Sequence, residues 1–195
     1  PSGVTRDPER TRARILQALE QRIATLHAGD TLLFYFAGHG SRYRDDGARD
    51  QDTGYNGTIL PTDARNPDGS PGDIFDVELK ALKERAIAKG LFFVSVFDSC
   101  NSATATRDGA LGQSRSAPAL VGGNPPAPVP ASTSASAGDN GYWVHLAAAQ
   151  DGEEAQETGG GSVGTRAGVF TSALIVTLRM PGMRDATFGD LIHEV

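Results

Sequence analysis

Two apolar runs end in residues capable of chemistry, and their unbroken hydrophobicity restricts the fold more than any other feature of this chain. Leu32-Leu33-Phe34-Tyr35-Phe36 runs into Ala37-Gly38-His39-Gly40, and Phe92-Phe93-Val94-Ser95-Val96-Phe97 runs into Asp98-Ser99-Cys100. Such runs read as strands covered on both faces, the condition of parallel strands between layers of helix. Parallel strands release their carboxyl ends at one edge of a sheet, where open α/β sheets bind their ligands. An imidazole and the single thiol of the chain are thereby delivered to one edge. A solitary cysteine is commonly a small buried hydrophobe, and a solitary histidine commonly a structural residue. Their paired placement at two strand ends favours chemistry over packing.

The rest of the pattern alternates helix and strand, as a single α/β domain over residues 1–195 should. Ile15, Leu16, Leu19, Ile23 and Leu26 recur at helical spacing and predict a helix over 11–27, stopped by Gly29-Asp30 ahead of a strand at 31–36. Residues 40–57 are polar and read as an acidic loop, with Asp45, Asp46, Asp50 and Asp52 among glycines; 58–61 returns briefly to a strand. Val77, Leu79, Leu82 and Ile87 predict a helix over 76–89, ended by Gly90 before the strand at 91–97. Residues 101–141 are dominated by Ala, Ser, Pro, Gly and Thr. That composition cannot bury enough apolar area to offset backbone ordering, and predicts a flexible low-complexity linker. A strand over 142–149, a second acidic loop over 150–164, a helix over 169–179 and a last helical turn with Leu191 and Ile192 complete the pattern.

Charge narrows the partners. Eighteen Lys and Arg against 24 Asp and Glu give a net charge of -6, which argues against nucleic acid, since phosphate binding needs a concentrated basic face. Arg6, Arg10, Arg12 and Arg14 are interleaved with Asp7 and Glu9 and lead into an amphipathic helix, so they read as a solvated helix face. No apolar run approaches the roughly 20 residues that cross a bilayer, and residues 1–14 lack the apolar core of a signal peptide, so no membrane partner is expected. One cysteine permits no internal disulfide, and a reactive thiol is best kept in a reducing compartment; the expectation is cytoplasmic.

These residues resemble the caspase-like cysteine peptidases, in particular the metacaspase, orthocaspase and paracaspase group of peptidase C14-like domains. That family's first motif, an apolar strand ending in Ser/Ala-Gly-His-Gly, is similar to Ala37-Gly38-His39-Gly40, and its second is similar to Asp98-Ser99-Cys100-Asn101-Ser102-Ala103. Leu146-Ala147-Ala148-Ala149 with the acidic stretch from Gln150 to Glu157 resembles its next strand and loop, and Gly168-Val169-Phe170-Thr171 the opening of a later helix. Asn101 and Ala103 depart from the family's usual His and Gly, at positions that supply neither nucleophile nor base. The resemblance implies a three-layer α/β/α sandwich on a mostly parallel sheet. It further implies that the first strand and the C-terminal part are missing, and that 101–141 links a large-subunit-like part (1–100) to a small-subunit-like part (142–195).

The chemistry follows from the residue types. A free thiol, with a pKa of about 8.5, is mostly protonated at neutral pH, and a neighbouring imidazole corrects this. Cys100 is the candidate nucleophile and His39 the base that activates it and then protonates the leaving amine. By resemblance, the backbone N–H groups of Gly40 and Cys100 form the oxyanion hole. Asp98 lies two residues before the nucleophile on an extended strand, so both side chains share a side, and a carboxylate there selects Arg or Lys in a protein or peptide substrate; capping of nearby backbone N–H groups is its competing role. The resemblance adds Glu154 as a second substrate-binding carboxylate, beside the reading of a solvated loop charge, and offers calcium as a candidate cofactor held by Asp50, Asp52 and Asp63. Arg107 and Arg115, the basic residues of the linker, are candidate self-cleavage points. The alternative to an endopeptidase is an inactive caspase-like scaffold serving as an interaction module; an unrelated α/β hydrolase or phosphatase is disfavoured because no Cys-x5-Arg loop is present and the Gly-x-Ser-x-Gly run at 160–164 does not follow an apolar strand.

Overall fold

The computed structural model describes residues 10–44, 55–65, 72–99, 113–114, 141–149, 155–158 and 167–195. In chain order the elements are α1 (Arg12–Thr25), β1 (Thr31–Ala37), β2 (Gly40–Arg44), β3 (Tyr55–Ile59), β4 (Ile74–Phe75), α2 (Asp76–Ala88), β5 (Phe92–Asp98), β6 (Gln113–Ser114), β7 (Tyr142–Ala147), β8 (Gln156–Thr158), β9 (Ala167–Gly168), α3 (Val169–Leu178) and α4 (Phe188–Glu194). A 3₁₀ turn at Met183–Asp185 separates the last two helices.

The central sheet has the order β1-β5-β7, with both pairings parallel. Alternation along its strands sends side chains to two separate cores. Leu32 and Phe34 of β1 and Phe93 of β5 pack with Leu19 and Ile23 of α1 and Leu82 and Ala86 of α2. On the opposite face Val94 and Val96 of β5 and Val144 and Leu146 of β7 pack with Phe170 and Leu174 of α3 and Leu191 of α4. The result is the expected α/β/α layering, with β5 covered on both faces. β1 differs from the reading of its sequence: its second face is open at Leu33 (60% exposed) and Tyr35 (46%), so this apolar run is buried on one side only among the described residues.

Two short antiparallel sheets lie where the composition predicts loops. Residues 40–57 contain β2 and much of β3, which pair with each other and with β4. Ser41 and Tyr43 of β2 and Ile59 of β3 are buried, and Tyr43 packs on Phe75 with ring centroids 5.4 Å apart. Buried polar and small residues such as Gly40, Ser41 and Thr58 share this interior, which is why a polar average conceals the strand. A second sheet, β6-β8-β9, joins residues from the linker and from the second acidic loop through antiparallel pairs of two residues each, too short to leave a periodic signal.

A buried polar cluster joins the hairpin to the central layers. Asp73 is fully buried; its Oδ2 accepts from Thr58 Oγ1 at 2.9 Å and lies 3.2 Å from an Arg65 nitrogen. Arg12, at the start of α1, donates through Nε to the Asp73 carbonyl at 3.1 Å and through its terminal nitrogen to Glu78, whose other carboxylate oxygen accepts from Phe75 N at 3.1 Å at the start of α2. Asp63 completes the junction by accepting the Arg12 backbone N–H at 2.8 Å, so that it caps α1 together with Thr11. No helix among the described residues is long and apolar enough to cross a membrane.

Candidate functional site

Register decides which strand ends meet. Thr31 pairs with Phe92, and the ladder continues in step to Ala37 opposite Asp98, where Gly38 N donates to the Asp98 carbonyl at 3.3 Å. His39 therefore stands two residues beyond the last rung on β1, and position 100 two residues beyond it on β5. Cys100 itself lies outside the described residues, next to the buried Ser99.

His39 is exposed, while its backbone is fixed from both sides, because its carbonyl accepts from Leu60 N at 3.0 Å. That bond also settles the orientation of Gly40. In an antiparallel ladder, a bond from residue 60 to residue 39 makes the enclosed pair, Gly40 and Ile59, one that exchanges no hydrogen bonds with each other. The Gly40 N–H consequently points away from β3, on the outer side of β2.

Asp98 is 0% exposed, and its neighbours come from the far end of the chain. Its Oδ2 accepts from Thr171 N at 3.1 Å and from the Thr171 hydroxyl. Thr171 is in the first turn of α3, so the carboxylate caps that helix and faces the positive end of its dipole. This is the capping geometry weighed beside the substrate-binding role. Tyr35 of β1 joins it: its hydroxyl is 2.8 Å from Thr171 Oγ1. Gly168, the N-cap of α3, completes the seat, since a Cβ on it would overlap Asp98 Oδ2. Both strand ends and the Gly-Val-Phe-Thr helix opening thus converge on one carboxylate. The sequence marks Gly168 and Thr171 as the opening of a helix; which residue they hold is a tertiary fact with no local signal, and Tyr35 carries none at all.

Of the other candidate residues, Glu154, Asp50, Asp52, Arg107 and Arg115 lie outside the described residues. Asp63 is within them, as the α1 cap, and among the described residues no group of three or more His, Cys, Asp or Glu is placed to hold a metal.

Helices on both faces of a parallel sheet, with Gly38-His39-Gly40 and Asp98-Ser99 leaving adjacent strands at one edge, match a caspase-like α/β domain. More narrowly, the chain belongs to the metacaspase family: the family described as metacaspase, peptidase C14 domain, matches residues 3–107. Metacaspase-1B of Aspergillus oryzae is 36% identical over 96 residues, which make up 49% of this chain and 22% of that protein. Metacaspase-1 of Coccidioides immitis is likewise 36% identical over 96 residues, 49% of this chain and 20% of that protein. The matched region thus spans about a fifth of these relatives. A crystal structure of a Geobacter sulfurreducens protein superposes with a TM-score of 0.55, covering 87% of this chain and 62% of that one at 20% identity, a likeness of fold.

Proposed function

We propose that this domain is a cysteine-type endopeptidase that hydrolyses protein or peptide bonds after Arg or Lys through a Cys100–His39 dyad. The observation that carries the reading is the in-register pairing of Ala37 with Asp98, each two residues before His39 and Cys100 in the sequence. His39 takes the proton from Cys100 Sγ, and the thiolate attacks the substrate carbonyl carbon. The oxyanion is received by the N–H groups of Gly40 and Cys100; the outward direction of the Gly40 N–H supports that assignment. His39 then returns the proton to the leaving amine, and water releases the acyl group from sulfur.

Asp98 supplies the preference for a cationic residue. A buried carboxylate keeps its field rather than losing it to water, so a positive side chain brought to the strand end is attracted more strongly than it would be at the surface. Because Thr171 holds Oδ2 and Oδ1 is buried as well, direct ion pairing requires the cover over Oδ1 to move on binding. Glu154 belongs to the proposal as a second acid of the pocket. Calcium enters as an activator outside the chemistry, with Asp63 as one carboxylate and Asp50 and Asp52 as its partners. A thiolate enzyme of this kind fits a reducing, cytoplasmic compartment.

Labelling Cys100 with an arginyl peptide chloromethyl ketone tests the dyad. Rapid labelling, lost in Cys100→Ala and slowed at least a hundredfold in His39→Ala, is the expected result. Labelling no faster than that of a free thiol, and indifferent to His39, would reject the peptidase in favour of a caspase-like scaffold.

A further inference from the structure

The Asp98 carboxylate is held by a directed chain of hydroxyl groups that reaches back to the histidine strand. A carboxylate can only accept, so the one hydroxyl proton of Thr171 is directed to Asp98 Oδ2. Thr171 Oγ1 must then accept from Tyr35, 2.8 Å away, and the Tyr35 hydroxyl is the donor. The order Tyr35 O–H to Thr171 O–H to Asp98 is therefore fixed, and each bond polarises the next. Gly168 packs against the same oxygen, since a Cβ there would overlap Oδ2. The chain crosses three elements, β1, α3 and β5, with Tyr35 two rungs before the Ala37–Asp98 pair that ends the β1–β5 ladder.

We propose that Thr171, backed by Tyr35, is the positioning residue that fixes the Asp98 carboxylate for recognition of the cationic side chain, and so sets the strength of the selectivity for basic residues. This rests on the proposed role of Asp98 in substrate binding. Neither hydroxyl group takes part in bond breaking. Their loss should therefore act on the preference for Arg over a neutral residue and leave turnover of a neutral substrate unchanged.

The test compares second-order labelling rates of Cys100 by arginyl and norleucyl peptide chloromethyl ketones in the full chain, with thermal denaturation alongside. Hydrogen bonds to charged groups are worth enough that Thr171→Val should lower the Arg-over-norleucine ratio roughly tenfold, and Tyr35→Phe, one bond further away, about threefold. Norleucyl labelling should stay within about twofold of wild type, and Thr171→Ser, which keeps the hydroxyl, should restore the ratio. Asp98→Asn separates the two levels of the argument. If Asp98→Asn abolishes the preference and Thr171→Val leaves it intact, the relay is rejected and the role of Asp98 stands. If Asp98→Asn leaves the preference intact, the substrate-binding role of Asp98 fails, and the relay with it. Equal losses of both labelling rates in Thr171→Val, unrescued by serine and accompanied by a fall in thermal stability, would show that Thr171 serves the fold alone.

Discussion

His145 shows how a single residue's environment can exceed what its sequence position reveals. It pairs with Ser95 across β5 and β7, its Nδ1 is 2.8 Å from Ser95 Oγ, and its ring meets Phe97 edge-on at 5.0 Å. Desolvation by these neighbours, and secondarily the charge of Lys83, lower its pKa below the usual 6.5. A lowered pKa means that the unfolded chain binds the proton more tightly. The contribution of His145 to stability is thus fully present above about pH 6.5 and is lost progressively as pH falls toward the lower folded-state value. Melting temperatures recorded from pH 8 to pH 5 should fall less steeply in His145→Gln than in wild type; identical slopes would remove His145 as a source of acid sensitivity. At this scale His39, Cys100 and Asp98 stand out in the sequence as candidates because each follows an apolar run, whereas Tyr35, Thr171 and His145 lie within runs whose neighbours across the sheet are set by register.

Helices and long strands follow from local pattern, and short strands do not. The spacing of Leu19 and Ile23 in α1 and of Leu79 and Leu82 in α2 matches their packing against the sheet, so the sequence locates these elements to within a few residues. The strand expected at 58–61 overlaps only the end of β3, and β2 and the start of β3 read as loop because their stability comes from pairing and from buried side chains such as Ser41 and Tyr43, which a polar average hides. Arg12 shows how such elements are tied together. One guanidinium serves the Asp73 carbonyl and Glu78 at once, while its backbone N–H meets Asp63. Arg12→Ala leaves two largely buried acceptors without their donor and should lower unfolding stability by roughly 2–4 kcal/mol, measured by urea denaturation. Arg12→Lys should recover less than half of this, because an ammonium lacks the planar fork that spans both acceptors. Full recovery by lysine would mean that charge alone matters there.

The topology of the whole molecule bears on the long segment between the two sheet strands. β5 and β7 are parallel neighbours, with Phe92 opposite Tyr142, so the connection must return from one edge of the sheet to the other. A parallel crossover needs about a dozen residues, and residues 100–141 far exceed that. On the proposed preference for basic residues, Arg107 and Arg115 of this segment are candidate substrates held at high effective concentration near the site. Incubated protein should be cut after Arg107 or Arg115, with no cutting in Cys100→Ala and acceleration by calcium that is lost when Asp50 and Asp52 are both changed to Asn. Mass spectrometry of the products decides it: an intact linker in active protein rejects self-processing, and fragments in Cys100→Ala reveal a contaminating protease. The sequence by itself determined the α/β class and the principal helices and strands, and singled out one histidine and one thiol as candidates, because apolar periodicity and strand-end chemistry are local properties. Only the tertiary structure decided that Ala37 stands opposite Asp98, that β1 keeps one face open, and that the carboxylate of Asp98 is seated by Gly168, Thr171 and Tyr35. Those facts depend on register and on helix docking, which join residues up to 136 positions apart and leave no trace in the neighbourhood of either one.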